Sequence, residues 1–280
     1  MNNFIRSVSV SELNHRTTLQ PRPVIETKKD PLEGIHISEE FQDVRKLIEE
    51  GYPVIFVTGN AGTGKSTLIK YLKTVLDKKY VVVAPTGVAA LNIQGATIHS
   101  FFHFPPCIHD EGDIKFIYDR KLYQALDLLI IDEVSMVRCD LMDSIDKFLR
   151  KNRSSNEPFG GVQLLLIGDL YQLPPVAPKE EKDVLRERGY KSEYFFSSFS
   201  LQETSLTHYN LTTTYRQKDQ NFIDLLNKVR VAEDLDYVVD ELNRQCYRQD
   251  SSQADITLTC TNNQADEINR QELLLLSSKE

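Results

Sequence analysis

Cysteine is scarce, with Cys107, Cys139, Cys246 and Cys260 the only four. They include no C-x-x-C pair and no histidine at a spacing suited to zinc, which excludes a zinc ribbon and leaves incidental thiols. Long apolar runs are lacking too. No stretch approaches the ~18 consecutive apolar residues of a membrane helix, and the first residues are too polar for a secretory signal. The expected setting is the cytoplasm or another interior compartment, with no membrane partner. Positive charge is also short: 33 Lys and Arg stand against 41 Asp and Glu, for a net charge of -8. A basic total often marks a nucleic-acid binder, so its lack means that any such site is a local groove. Neither an internal repeat nor a low-complexity tract occurs.

What is present is a regular alternation. The 280 residues, 40% of them hydrophobic, provide for one large domain or two modest ones. Residues 1 to 33 show little periodicity and carry Pro21, Pro23 and Pro31, which predicts a flexible amino-terminal arm. From Ile37 to Glu50, Phe41, Val44, Leu47 and Ile48 recur at helical spacing, and Gly51 marks the stop. Apolar runs and helical segments then alternate: Val54 to Thr58, a helix over Ser66 to Lys79, and runs at Val81 to Ala84, Leu128 to Ile131 and Val162 to Ile167. Such runs predict an α/β fold with a mostly parallel sheet buried on both faces. Beyond Tyr209 the pattern starts afresh. A strand is predicted over Asn210 to Tyr215, a helical face from Phe222, Leu225, Leu226 and Val229, a strand over Asp255 to Cys260, and a helix to Leu276.

Three strand ends carry chemistry. Gly59-Asn60-Ala61-Gly62-Thr63-Gly64-Lys65-Ser66, followed by Thr67, stands between a strand and a helix. Its glycines let the backbone curl so that successive N–H groups face the β- and γ-phosphates of a nucleotide, while Lys65 reaches the same oxygens and Ser66 is placed to ligate Mg²⁺. The positive end of the following helix adds to the anion site. Leu128 to Ile131 leads into Asp132-Glu133, two carboxylates at the carboxyl edge of the sheet, where open α/β folds bind ligands. Alone, such a pair often does no more than solvate a strand end. Behind a P-loop it reads as Asp132 holding Mg²⁺ and Glu133 polarising the attacking water as general base. Gly168 to Pro175 closes another strand, and the amide of Gln172 suits a sensor of the γ-phosphate. The residues alone leave that reading and an ordinary proline-stiffened loop equally open. Phe101, Phe102 and Phe104 are either core, the commoner outcome, or a stacking platform for bases.

The order of these segments resembles a known family. The P-loop from Gly59 to Thr67, Ala84-Pro85-Thr86-Gly87-Val88-Ala89-Ala90 through Thr97-Ile98-His99-Ser100-Phe101, Asp132-Glu133-Val134-Ser135-Met136, Pro158-Phe159-Gly160-Gly161, Gly168 to Val176 and Thr214-Tyr215-Arg216-Gln217 look like successive motifs of the Pif-type DNA helicases of superfamily 1. The resemblance covers residues 37 to 276. It implies a RecA-like P-loop NTPase domain over residues 34–208 and the start of a second RecA-like domain over residues 209–280. The implied activity is ATP-driven, Mg²⁺-dependent movement along single-stranded DNA in the 5′-to-3′ direction, with opening of duplex junctions. Carried over residue by residue, Lys65 takes the phosphates, Ser66 and Asp132 the magnesium, Glu133 the water, and Gln172 and Arg216 the γ-phosphate. Spacing alone would make Arg216 a surface residue. Thr86 and His99 fall in the segment that family members lay along DNA.

One departure concerns the base. Many members carry a glutamine ten residues before the Gly51 position to read adenine, whereas this chain has Phe41 there and Gln42 one place later. One helical residue rotates a side chain by about 100°, so Gln42 need not reach the same ligand. Two other functions compete with the helicase reading. One is a RecD-like motor subunit of a nuclease complex. The other is a P-loop kinase or nucleotide switch acting without DNA, for which the Gly168 to Val176 segment has no evident use. Later family motifs are missing, so these 280 residues alone are not expected to unwind duplexes processively.

Overall fold

The computed structural model describes residues 37–215, 219–247 and 256–275. By internal contacts the chain divides into Met1–Arg216 and Gln217–Glu280. The arm read from residues 1–33, and Arg216 itself, lie outside the described residues.

In the first unit, α1 (Glu39–Glu49) starts at Ser38, whose hydroxyl accepts the Phe41 N–H, and buries Phe41, Val44 and Ile48 on one stripe. Then follow β1 (Val54–Gly59), α2 (Lys65–Val75), β2 (Tyr80–Ala84), α3 (Gly87–Asn92), β3 (Ala96–Thr97) and α4 (Ile98–Phe102). After them come α5 (Lys121–Ala125), β4 (Leu128–Ile131), α6 (Cys139–Arg153), β5 (Gln163–Ile167), α7 (Lys179–Glu187), α8 (Phe199–Gln202) and β6 (Leu206–Leu211). The strands form one sheet in the order β3-β2-β4-β5-β1-β6, and every pairing is parallel.

The apolar runs are continuous because alternate residues serve opposite faces. Val54 and Phe56 of β1, Leu129 and Ile131 of β4, and Leu164 and Leu166 of β5 meet Phe102, Met142, Ile145 and Phe148 on one side. Ile55, Val57, Leu128, Ile130, Leu165 and Ile167 meet Phe41, Val44, Ile48, Leu68 and Leu72 on the other. A period of two with both faces covered is what a parallel sheet requires.

Three expected boundaries change. Helix α2 ends at Val75 rather than Lys79, because Leu76 is extended and the Lys79 N–H is taken by the Asp127 carboxylate at 2.9 Å as the chain turns into β2. The strand expected over Asn210 to Tyr215 runs instead from Leu206 to Leu211 and pairs with β1 along its length. It stops there because the Thr212 and Thr213 N–H groups donate to the Glu40 carboxylate at 2.8 and 3.4 Å, leaving no ladder to continue. No strand forms over the described part of Asp255 to Cys260, where Ile256 and Leu258 are exposed and no neighbouring strand is paired to them.

In the second unit, α9 (Gln220–Val231) is capped by Asp219, which accepts from Asn221 and Phe222, and it packs on α10 (Leu235–Cys246). A third helix, α11 (Asn262–Leu275), follows.

Candidate functional site

The carboxyl ends of β1, β4 and β5 deliver the three expected motifs to one edge of the sheet. After β1, Gly62 and Gly64 adopt φ of 84° and 85°, a region closed to most side chains, and this curls the loop into the start of α2. At Gly59 a Cβ would lie 2.6 Å from the Thr63 hydroxyl and 2.8 Å from the Leu211 carbonyl, so only glycine fits between the loop and β6. Helix α2 has no side-chain cap and no acidic residue in its first turn, which leaves its N–H groups for an anion. The Lys65 ammonium folds over its own loop, donating to the Gly59 and Asn60 carbonyls at 2.7 and 3.1 Å.

Across from the loop, Asp132 is buried, and its N–H donates to the Val83 carbonyl at 2.9 Å, continuing the β4 ladder by one residue. Burial, followed by the neighbouring Glu133 charge, pushes the Asp132 carboxyl up to about 6, while the Glu133 N–H and the Lys65 ammonium pull it down. Glu133 sits at a left-handed φ of 49° and donates its N–H to Asp132 Oδ1 at 3.0 Å. This conformation is costly for a non-glycine residue.

The third loop is organised by Asp169, a buried carboxylate to which sequence reading assigned no role. Its Oδ1 accepts the Tyr171 N–H at 3.1 Å, its carbonyl accepts the Gln172 N–H at 2.9 Å, and the Gln172 amide lies 3.5 Å from Oδ2. Ser66, Asp132, Glu133 and Gln172 line one cavity of about 250 Å³, together with Thr86 and Ser135. Ser135 was likewise missed. It is fully buried, and its hydroxyl is the one buried side-chain polar atom among the described residues without a hydrogen-bond partner. Such an atom costs stability unless something meets it, and its place in the motif Asp132-Glu133-Val134-Ser135 was the available signal.

The site fits a nucleotide with a hard cation. Adjacent carboxylates, one of them raised by burial, are stabilised by a divalent charge, and a serine hydroxyl faces them across the cavity. No group of three or more His, Cys, Asp or Glu suited to a metal occurs among the described residues.

Thr86 and His99 border a second cavity of about 400 Å³ with Arg138 and Glu181. The Thr86 hydroxyl caps α3, accepting the Ala89 N–H at 3.2 Å. His99 is half-buried, and burial, then the nearby His109 and Arg138, lower its pKa. Arg138 binds Asp140 at 2.8 Å and also pairs with Glu181 of α7. The open choice for the phenylalanines resolves to core: Phe102 and Phe104 are buried against Phe148, and Phe101 packs beside them.

A parallel sheet with a P-loop, a strand-ending Asp-Glu pair and the Gly168 to Pro175 loop on one edge defines the first unit as a RecA-like P-loop domain. Residues 37–236 match the family model of PIF1-like helicases, and the chain belongs to that family. It is 37% identical over 212 residues to the ATP-dependent DNA helicase PIF1 of Saccharomyces cerevisiae, covering 71% of this chain and 23% of that protein. The ATP-dependent DNA helicase RRM3 of the same species is 33% identical over 249 residues, covering 84% of this chain and 32% of the relative. A Bacteroides Pif1 helicase in complex with ADP-AlF3 and ssDNA superposes with a TM-score of 0.81 at 38% identity, over 88% of this chain and 58% of that one. The Candida albicans Pif1 helicase gives 0.73 at 33% identity, over 88% and 56%. The chain thus spans 23% and 32% of the two curated yeast relatives.

Proposed function

We propose that this chain carries the first motor domain of an ATP-dependent DNA helicase. The observation that supports this reading most is the single cavity shared by Ser66, Asp132, Glu133 and Gln172. In the proposed cycle the Lys65 ammonium leaves the Gly59 and Asn60 carbonyls for the β- and γ-phosphates of ATP, held also by the N–H groups from Gly59 to Thr67. Ser66 and Asp132 hold Mg²⁺, which neutralises phosphate charge. Glu133 accepts the proton of the attacking water, a task apart from the metal binding assigned to Asp132. Gln172, seated on Asp169, registers the γ-phosphate, and Arg216 balances transition-state charge.

Thr86 and His99 lie along single-stranded DNA in this reading, and movement runs 5′ to 3′ toward a duplex junction. The Bacteroides relative bound to ssDNA, and the two coordinating Pif1 helicases that unwind forked dsDNA, favour a DNA track over a DNA-independent kinase or switch. We place the second RecA-like domain expected over residues 209–280 from residue 217 onward, because β6 (Leu206–Leu211) pairs with β1 in the first unit. The test is ATP hydrolysis by the 280-residue chain with Mg²⁺, with and without single-stranded DNA. Stimulation by the strand is expected, and hydrolysis indifferent to DNA would overturn the motor reading.

A further inference from the structure

We infer that the first unit has a second contact for single-stranded nucleic acid, at the edge of the sheet opposite the nucleotide. The segment from Ile114 to Arg120 lies along the last two turns of α6 and is fixed there by side chains. Asn152 accepts the Ile117 N–H at 2.8 Å and donates to the Lys115 carbonyl at 3.0 Å, Lys151 donates to the Ile114 carbonyl at 2.6 Å, and Arg120 reaches the Ser154 hydroxyl at 3.1 Å. The segment is therefore held in one shape from one end to the other.

What it displays is unusual for this chain. Tyr118 is 101% exposed and Phe116 54%, with the Arg120 guanidinium 4.7 Å from the Phe116 ring centre. Lys115, Lys147 and Lys151 are exposed around them, the last two one turn apart on the same face of α6. None of these four cations forms an ion pair with a described carboxylate. Some cations of the same unit are paired, as in Arg45 with Glu49, Lys182 with Glu193 and Arg188 with Asp110, while others such as Lys70 and Lys191 form no ion pair with a described carboxylate, and Lys70 has no exposed aromatic pair in its own segment. Between Ile114 and Leu122 the only carboxylate is Asp119. A chain of net charge -8 thus concentrates unmatched positive charge where it also exposes two aromatic rings.

Aromatic faces with interleaved cations suit a single strand, since every base can stack on a ring and every phosphate can meet a lysine or arginine. An acidic peptide would use the charges and leave the rings without stacking partners. The position follows from chain direction. Helix α5 leads into Leu128 at the amino end of β4, and the end of α6 precedes Gln163 at the amino end of β5, whereas the nucleotide motifs occupy the carboxyl ends. This contact is therefore separate from the Thr86 and His99 segment.

The experiment crosslinks the 280-residue chain to oligothymidylate carrying 5-iododeoxyuridine and maps the adducts by mass spectrometry, beside anisotropy titrations over a range of salt. Adducts at Phe116 or Tyr118 are expected. The variant Y118A/K115E/K147E, altered only at exposed side chains that hold no part of the segment and checked by its melting temperature, should weaken this binding phase about tenfold and lower the salt slope by about one. Its DNA-stimulated ATP hydrolysis should persist. Adducts confined to the region of Thr86 and His99, or an unchanged titration in the variant, would overturn the second contact and leave the motor reading intact. Adducts at Tyr118 with hydrolysis indifferent to DNA would do the reverse. Recruitment to anionic lipid vesicles without any strand adduct also overturns it.

Discussion

The backbone N–H of Tyr215 donates to the carbonyl of Gly62 at 2.9 Å. Gly62 lies inside the phosphate loop at a φ of 84°, and Tyr215 is the covalent neighbour of Arg216. The residue that family resemblance assigns to the γ-phosphate is thus joined to a segment anchored on the loop that would hold that phosphate. The predicted consequence for Arg216→Ala is a fall in ATP turnover of about a thousandfold with nucleotide affinity nearly kept, since such an arginine acts on transition-state charge. Turnover assays beside fluorescent-nucleotide titration check this. Loss of affinity equal to the loss of turnover would assign Arg216 to ground-state binding.

Lys65 and Glu133 should separate in the opposite sense. Lys65→Ala removes a cation that contacts phosphate throughout the cycle, so tight ATP binding is lost. Glu133→Gln keeps the side chain's size and its left-handed backbone while removing the base, so binding persists and hydrolysis falls by about a hundredfold or more. Isothermal titration and single-turnover hydrolysis measure the two effects. Equal loss of binding in both variants would contradict this division.

How far the sequence carried these roles depended on burial. β1, β4 and β5 were legible because Val54 to Val57, Leu128 to Ile131 and Leu164 to Ile167 are apolar on both faces, as short strands covered on two sides must be. β6 was misplaced because it lies at the sheet edge with alternate residues exposed, and its end is set by the distant Glu40 carboxylate rather than by its own composition. Helix α10 was not anticipated, and the short β3 offers two residues of signal. Within the site, glycines and acids at strand ends were readable from spacing. The burial of Ser135 and Asp169 was not, since a small polar residue looks alike in sequence whether it is buried or solvated, and only the motif position of Ser135 and the strand-end place of Asp169 hinted at a role.

Ser135 therefore yields a prediction that sets stability against activity. Its hydroxyl is buried without a partner, in the wall of the cavity that holds Asp132 and Glu133. Ser135→Ala should leave the free protein as stable as before or raise its stability by up to about 1 kcal/mol, because an unmet polar group is removed. If the hydroxyl meets a water or phosphate oxygen during turnover, the same variant hydrolyses ATP about tenfold more slowly. Melting curves without nucleotide and turnover assays decide. Destabilisation with unchanged turnover would make Ser135 a packing residue.

The base end of the nucleotide provides the last test. Phe41 occupies the position where many family members carry an adenine-reading glutamine, and its ring is 1% exposed, with centroids 6.1 Å from Tyr71 and 6.5 Å from Tyr215. Its Cζ would lie 3.1 Å from a Cβ at Gly64, so the ring is packed against the phosphate loop. Gln42, one residue further along α1, is exposed, and its side chain is rotated by about 100° from Phe41. No amide therefore stands at the family's reading position. A hydrogen bond to the base contributes roughly 0.5–1.5 kcal/mol, or up to about tenfold, and this chain forgoes it at that point. ATP and GTP should accordingly differ by less than about tenfold in kcat/KM when compared under the same conditions. Phe41→Gln should not restore selectivity without cost, because it would bury an amide among aromatic rings and destabilise the domain by about 1–3 kcal/mol. A preference for ATP above about a hundredfold in the unaltered chain would mean that another group reads the base, and Phe41 would then be packing alone.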